Sequence, residues 1–481
     1  MHATDAGFGL LATSRYVPLL RLERAEIFAA HRWMAPGLKG LARGRRAIAN
    51  WDEDAVTMAV EAARDVLRGL PGVAPSSISL ASTTLPFADR LNGGIVAAAI
   101  GAPADAVARD VASSLRAAST ELLRALREPQ AGIELLVASE RRVPRPASAQ
   151  ELVLGHGAAA AVVGTGNPIA THVASVSVQA DFVDRFRETG ADADYGWEER
   201  WVRDEGYSKI AVDAIARCLK QAGVEPAAVT RFAMPAPTGK TNEVVARRVG
   251  IAATALVSTE SENVGDLGSA QPLAMLDVAV REAKEGDLIL LAAFGNGCDA
   301  ILLRRTGVPC PGGKPGAGRA ETAYMKYLSF TGQIALDWGM RAEMDNKTAL
   351  SAAWRDHARI ARFEGGRCSK CGTVQFPSLR FCVNPDCRAE DSQEPASLAD
   401  APARVLSFTC DYLGYTPHPP FLFGHVDFEG GGRVLMEFAD STPDEIAVGT
   451  PLRMVYRVKD YDSKRGFRRY FWKATPVRKE D

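Results

Sequence analysis

The chain has 481 residues, 47% of them hydrophobic and 24% charged, with 57 basic against 58 acidic side chains. That length allows two or three domains and at least one large core, and the composition is that of an ordinary soluble globular protein. A formal net charge of −1 gives no global pull toward nucleic acid or an anionic membrane, and no apolar run approaches the ~18–20 residues of a membrane span. No secretory signal pattern opens the chain, and four of its eight cysteines fall between Cys368 and Cys387. Such clustering reads as a metal site in a reducing compartment, not a disulfide framework, so a cytoplasmic protein is expected.

In chain order, Gly7–Pro18 starts as a strand, Leu20–Phe28 reads as a charge-interleaved helix, and the basic stretch Gly40–Asp54 leads into a helix over Ala55–Arg68. Asp52 and Asp54 are its candidate caps. Ser77–Thr84 has a buried-strand pattern. In Asp110–Thr120 a short β-type run and small residues lead into an alanine-rich helical pattern, which puts Ser114 at a strand-to-helix turn. A helix start of this kind has unpaired N–H groups and a positive dipole end, suited to a nucleophile or a developing oxyanion. Gly132–Ser139 is a strand. Glu151–Gly164 and Gly286–Leu303 then share one plan: strand, Gly-x-Gly, small residues, strand. This weak duplication predicts two stacked, related α/β halves. Neither Gly-x-Gly opens a long helix, so neither argues for phosphate binding. Phe182–Lys209 is aromatic and charged and contains Tyr195 and Tyr207, and Ile210–Ala222 is an amphipathic helix. Pro309–Arg319 is a linker by composition; Thr322–Met344 supplies helical pieces, and Leu350–Phe363 reads as a further helix.

Cys368-x2-Cys371-x10-Cys382-x4-Cys387 gives two thiolate pairs across a hairpin-sized gap. This suits a tetrahedral zinc whose closed four-sulfur shell makes it structural; the alternative is a vestigial ribbon that binds nothing. Five short strands follow, at Ala403–Cys410, Phe421–Phe428, Gly432–Phe438, Pro451–Val458 and Tyr470–Pro476. A ribbon followed by five strands predicts an OB-fold barrel. Its aromatics and cations also fit single-stranded nucleic acid, but the near-neutral charge argues against that, and neither a nucleic-acid nor a membrane partner is expected.

Several of these stretches carry a resemblance. The Asp110–Thr120 turn, the segment Ala49-Asn-Trp-Asp-Glu-Asp54 after a basic loop, Arg231–Lys240 and Glu262–Ala270 resemble the HMG-CoA synthase-like branch of the thiolase / 3-oxoacyl-ACP synthase III superfamily. The ribbon and barrel resemble the DUF35 family of small acyl-CoA-binding partners. The resemblance implies a duplicated thiolase-like α/β fold, here fused to a rubredoxin-like zinc ribbon and an OB-fold. Expected domains are 1–165 and 166–306 for the two halves, 307–350 for linker and accessory helices, 351–395 for helix and ribbon, and 396–481 for the barrel. It further implies coenzyme A as substrate or cosubstrate, with Arg43, Arg45, Arg46 and Lys240 toward its phosphates, and a homodimer through the thiolase-like domain. The sequence departs from the family at each catalytic position. Leu115 stands for the cysteine, Pro235 for the histidine (aligned on Gly239-Lys240), Asp266 for the asparagine and Thr83 for the glutamate.

Leucine cannot form an acyl-enzyme, which leaves three readings. The first is an enzyme that cleaves a β-oxo or β-hydroxy acid, or its CoA thioester, by retro-Claisen or retro-aldol chemistry. Its candidate groups are Asp266, His156, Tyr195, Tyr207 and Ser114, with the turn and the Gly295–Gly297 loop as oxyanion donors. The second is a condensing acyltransferase with its nucleophile relocated to Cys298. The third is an acyl-CoA-binding scaffold without catalysis of its own.

Overall fold

The computed structural model describes residues 7–112, 114–236, 240–313 and 315–478, so Ser113 of the turn and Gly239 lie outside the described residues. The chain divides into two compact units, one built from Met1–Ala49, Met58–Ala97 and Ala102–Tyr324, the other chiefly from Asn50–Thr57 and Met325–Asp481.

The first unit is organised on β1 (Gly7–Tyr16), β2 (Ser77–Ala81), β3 (Val107–Val111), β4 (Glu134–Glu140), β5 (Gly157–Gly166), β6 (Ala170–Gln179), β7 (Val229–Ala233), β8 (Leu288–Phe294) and β9 (Gly297–Arg305). Their order is β7-β8-β9-β6-β1-β5-β4-β2-β3. From β1 outward, two antiparallel pairings (β1/β5, β5/β4) are followed by two parallel ones (β4/β2, β2/β3). The same series runs outward from β6: β6/β9 and β9/β8 are antiparallel, β8/β7 is parallel, and a parallel bridge joins Phe232 to Leu256 where a fifth strand would lie. The predicted duplication is present in the topology, and the halves meet at Leu10–Ala170. The shared strand, Gly-x-Gly, strand plan holds only for Gly286–Leu303; before the other Gly-x-Gly, Ala149–Val153 is a helix capped by Ser148, and the strand from Gly157 pairs instead with Glu134–Glu140.

Four helices position the site: α1 (Ala117–Arg127), α2 (Val212–Ala222), α3 (Thr241–Val249) and α4 (Gln271–Glu282). Period-2 alternation along β8 and β9 sends Ile289, Leu291, Ile301 and Leu303 into one core with α1 and α4, where small residues such as Ala117, Ala118 and Ala274 let the elements approach. Leu290, Ala292, Cys298, Ala300 and Leu302 point the other way, into a second core with α2 and α3. One expectation changes near the N-terminus. Leu20–Glu23 is a strand paired with Arg45–Ile48, and the helix starts only at Arg24. Leu20 and Leu22 are both buried, a period-2 signal that outweighs the charges between them.

In the second unit the ribbon comprises β10 (Glu364–Cys368), β11 (Val374–Gln375) and β12 (Gln393–Ser397). The barrel comprises β13 (Ala403–Asp411), β14 (Phe421–Phe428), β15 (Arg433–Glu437), β16 (Pro451–Asp462) and β17 (Phe467–Pro476). The sheet order is β15-β14-β13-β16-β17, and a parallel bridge between Phe438 and Ala474 joins its ends, as an OB-fold requires. The expected Leu350–Phe363 helix is two short helices, Leu350–Arg355 and His357–Ala361. Segment Asn50–Thr57 packs against the barrel in this unit. Asp54 Oδ1 caps the helix that begins at Ala55, accepting from the N–H groups of Val56 and Thr57, each at 3.0 Å. Asp52 is not a cap: it takes the buried Lys473 ammonium at 2.9 Å.

Candidate active site and cysteine cluster

The strand-to-helix turn is fastened from both sides. Ser114 Oγ donates to the Gly295 carbonyl at 3.1 Å and accepts from the Arg116 N–H at 3.2 Å. Arg116, 7% exposed, reaches Asp299 on β9 at 2.7 Å, and Ser119 (2.8 Å), Thr120 (2.7 Å) and Ser177 (2.6 Å) donate to the same buried carboxylate. A Cβ at Gly295 would sit 3.1 Å from Ser114 Oγ and 3.4 Å from Leu115 N, so glycine lets the loop approach this closely without displacing the Ser114 hydroxyl. The loop does not serve as the expected oxyanion donor at Gly295, because that N–H is spent on the Gly297 carbonyl at 2.9 Å.

Asp266 is 8% exposed. Its backbone is locked between the Val153 carbonyl and the Gly155 N–H, both at 2.8 Å. Oδ1 accepts from the Gly268 N–H at 3.0 Å, and Oδ2 stands 4.0 Å from Arg142 Nη1. Burial, reinforced by Glu140, raises its pKa above the ordinary aspartate value against the opposing pull of Arg142 and the Gly268 N–H. Tyr207 lies close enough that Asp184 and Asp266 add to the effect of burial in raising its hydroxyl pKa. Its ring packs on Phe294 with centroids 4.4 Å apart. Tyr207 belongs to a π-helical stretch, Val202–Ala211, of a kind found often at functional sites.

A buried carboxylate that sequence reading did not find stands beside Thr83. Glu140, fully buried at the end of β4, accepts from Thr83 N (2.7 Å), Thr83 Oγ1 (3.1 Å), Thr84 Oγ1 (2.9 Å) and Ser269 Oγ (2.7 Å). It brings a carboxylate to the Thr83 position from another strand, and four donors hold it there as an acceptor. Arg142 also went unnoticed. Its Nε and Nη2 bond Asp194, the former at 2.9 Å, and Arg185 joins Asp194 at 3.1 Å.

The remaining candidates are dispersed. His156 is fully buried and uses both ring nitrogens: Nδ1 accepts from Ala49 N and Nε2 donates to the Arg142 carbonyl, each at 2.9 Å. Burial, with Arg46 and Arg141 nearby, pushes its pKa well below the ordinary histidine value, so it is a neutral structural imidazole here and not a proton carrier. Cys298 points into the second core, fully buried, and burial with Asp299 raises its thiol pKa. Tyr195 is exposed on a two-residue pairing with Phe186. Arg46 is directed inward, fully buried against the Glu151 carbonyl, which removes it as a surface phosphate ligand. Arg43 is exposed, Arg45 is partly exposed and pairs with Glu23 at 2.6 Å, and Lys240 is exposed at the start of α3.

In the second unit the Cys368, Cys371, Cys382 and Cys387 sulfurs all lie within 4.8 Å of one another, with 3.8 Å between Cys368 and Cys387 and 3.5 Å between Cys371 and Cys382. Tetrahedral zinc with ~2.3 Å bonds needs sulfurs about 3.8 Å apart, so the donor set and its spacing fit a structural zinc. Among the described residues no helix is long and apolar enough to cross a membrane.

Family profiles match three segments: 3-oxoacyl-[acyl-carrier-protein] synthase III C terminal over residues 219–304, the ChsH2 rubredoxin-like zinc ribbon over 355–392, and the ChsH2 C-terminal OB-fold domain over 398–457. The hydroxymethylglutaryl-CoA synthase of Aeropyrum pernix is 27% identical over 72% of this chain and 96% of its own length; that of Methanocella arvoryzae is 28% identical over 60% and 85%. Among solved structures, 3-oxoacyl-(acyl carrier protein) synthase III of Pseudomonas aeruginosa superposes with a TM-score of 0.56 at 19% identity over 63% of this chain and 99% of its own. Xanthomonas campestris OleA superposes at 0.55 and 18% over 63% and 100%.

Proposed function

Starting from a thiolase-fold, HMG-CoA synthase-like chain joined to a ChsH2-type zinc ribbon and OB-fold, we propose that it cleaves a carbon–carbon bond in a β-hydroxy or β-oxo acyl-CoA without an acyl-cysteine. The observation that carries this reading is Asp266, a buried carboxylate of raised pKa held by the Gly268 N–H, at the position that the resemblance of Glu262–Ala270 aligns with the family's asparagine. In the retro-aldol direction the Asp266 carboxylate takes the β-hydroxyl proton. The Cα–Cβ bond then breaks, the β-carbon leaves as a carbonyl compound, and the bonding pair passes into the thioester as an enolate. Return of the proton to Cα gives the shortened acyl-CoA. The positive N-terminal end of α1 at Leu115 would favour the enolate charge, and Tyr207, whose hydroxyl pKa is raised by burial and by Asp184 and Asp266, is near Asp266. With a β-oxo substrate the same base would activate water or the CoA thiol. Exposed Arg43 and Lys240, with Arg45, are the cations left for the phosphates of CoA. The ribbon zinc is structural, and a homodimer through the first unit and a cytoplasmic setting belong to the same proposal.

The printed name of the relatives, hydroxymethylglutaryl-CoA synthase, supports a CoA thioester as the substrate class. A relocated nucleophile at Cys298 is less well supported, since a buried thiol of raised pKa forms little thiolate. The test is mass-spectrometric turnover of 3-hydroxyacyl- and 3-oxoacyl-CoAs, with and without added CoA. A shortened acyl-CoA that disappears in Asp266→Asn and persists in Cys298→Ala is expected. Tight CoA-ester binding with no turnover would transfer the assignment to a scaffold.

A further inference from the structure

Residues Asp184–Trp197 form a small hairpin beside Asp266. Trp197 N donates to the Asp184 carbonyl at 2.9 Å, and Phe186–Tyr195 and Arg185–Gly196 pair across it. Its outer face is wet and aromatic: Phe186, Tyr195 and Trp197 are 53–54% exposed. Its inner face carries Asp194, whose side chain is 4% exposed. Asp194 Oδ2 holds Arg142 and Arg185, while Oδ1 is buried 3.9 Å from Arg187 Nε and makes no hydrogen bond among the described residues. The hairpin is thus fixed from within by Asp194 Oδ2 and by Arg187, whose Nη2 donates to the Thr83 carbonyl. Arg142, also 4% exposed, is the group it shares with Asp266, whose Oδ2 is 4.0 Å from Arg142 Nη1.

We propose that the hairpin Asp184–Trp197 is a strap whose Asp194 keeps Arg142 at the outer limit of ion pairing with Asp266, 4.0 Å away, so that opening the strap frees this guanidinium to close on Asp266 and silence it. The inference rests on Asp266 as the base. A buried guanidinium cannot remain unpaired, and Asp266 is the carboxylate next within its reach. A strap that is aromatic outside and tied inside by the Arg142–Asp194 ion pair and the Arg187–Thr83 hydrogen bond opens locally at less cost than global unfolding. The base would then be strong only while the strap is down, which couples reactivity to a closed site. The other charges facing Asp266 are Arg185 and Glu140. Tyr207 borders it, Asp184 faces Tyr207 and Arg185, and His156 is a neutral partner of the Arg142 carbonyl. Of these, Arg185 lies on the strap itself, where it pairs with Asp194, and Arg142 is the one within salt-bridge distance of both Asp194 and Asp266.

The test reads the base directly. Carbon-13 NMR of carboxyl-labelled aspartates, with the Asp266 signal assigned by its loss in Asp266→Asn, follows its titration in the full chain. In Asp194→Asn the released Arg142 should lower the Asp266 pKa by about one unit or more. Phe186→Ala/Tyr195→Ala, which loosens the strap without touching a charge, should move it the same way by less and serves if the first variant does not fold. An Asp266 titration that stays put or rises in the folded variants would overturn the strap. Because this readout needs no substrate, absence of turnover on every CoA ester would sink the base reading while leaving the NMR result to stand or fall alone.

Discussion

Asp299→Asn is the perturbation whose cost follows most directly from the coordinates. The native carboxylate is fully buried and satisfies four donors: the Arg116 guanidinium at 2.7 Å and the hydroxyls of Ser119, Thr120 and Ser177 at 2.6–2.8 Å. Asparagine keeps the shape but removes the charge and replaces one acceptor oxygen by a donor that faces other donors. Leaving Arg116 as an uncompensated buried cation costs about 3–5 kcal/mol. Ser119→Ala alone removes one hydroxyl bond to a charged group, worth about 1.5–3 kcal/mol. Arg116→Met/Asp299→Asn should recover much of the loss, because both charges then go together. Urea unfolding followed by far-UV circular dichroism gives these differences, provided the m-value is unchanged. A loss below about 1 kcal/mol for Asp299→Asn would refute the claim that this ion pair holds the turn.

Further outcomes are expected. Asp266→Asn should lower kcat/KM by about 10²–10⁴-fold. In the native protein kcat/KM should rise with pH through a group titrating above the ordinary ~3.9 of aspartate, since burial raises Asp266 and only its ionised form accepts a proton. Zinc should be found at about one per chain by metal analysis, and Cys371→Ser should lose it and loosen the ribbon. In the second unit, burial pushes the Glu437 pKa up, but Lys473 and Lys459 outweigh it and hold the carboxyl below its usual range. The stability this pair contributes is therefore complete above the unfolded value of about 4.3 and disappears as pH falls through the folded value. Lys473→Met, which removes the buried ammonium between Asp52 and Glu437 but leaves them Arg457 and Lys459, should cost about 3 kcal/mol and weaken that acid dependence, as read by unfolding between pH 3 and 6.

Much of the scaffold was legible because it rests on local signals. The Gly-x-Gly hairpin within Gly286–Leu303 was read correctly, although its presumed twin at Glu151–Gly164 begins as a helix; the four cysteines marked the ribbon, and alternation marked the five barrel strands. The site was less legible because its groups are joined across long stretches of sequence. Glu140 reaches Thr83 from a different strand, Asp299 takes a guanidinium from Arg116, and Asp194 comes in on a hairpin that shows only aromatics and charges. Nothing in the basic loop distinguishes exposed Arg43 from fully buried Arg46, because side-chain direction follows from the pairing of Arg45–Ile48 with Leu20–Glu23. The π-helical turns around Tyr207 leave no periodic signature, and a histidine between two glycines gives no hint that both its nitrogens are already bonded.

The central claim is carbon–carbon cleavage by a carboxylate base without an acyl-enzyme. Intact-protein mass spectrometry on samples quenched during turnover of a 3-hydroxyacyl-CoA tests it most directly. The account predicts shortened acyl-CoA accumulating while the protein mass stays unmodified. An acyl adduct that appears and decays at the rate of turnover, lost in Cys298→Ala, would contradict it.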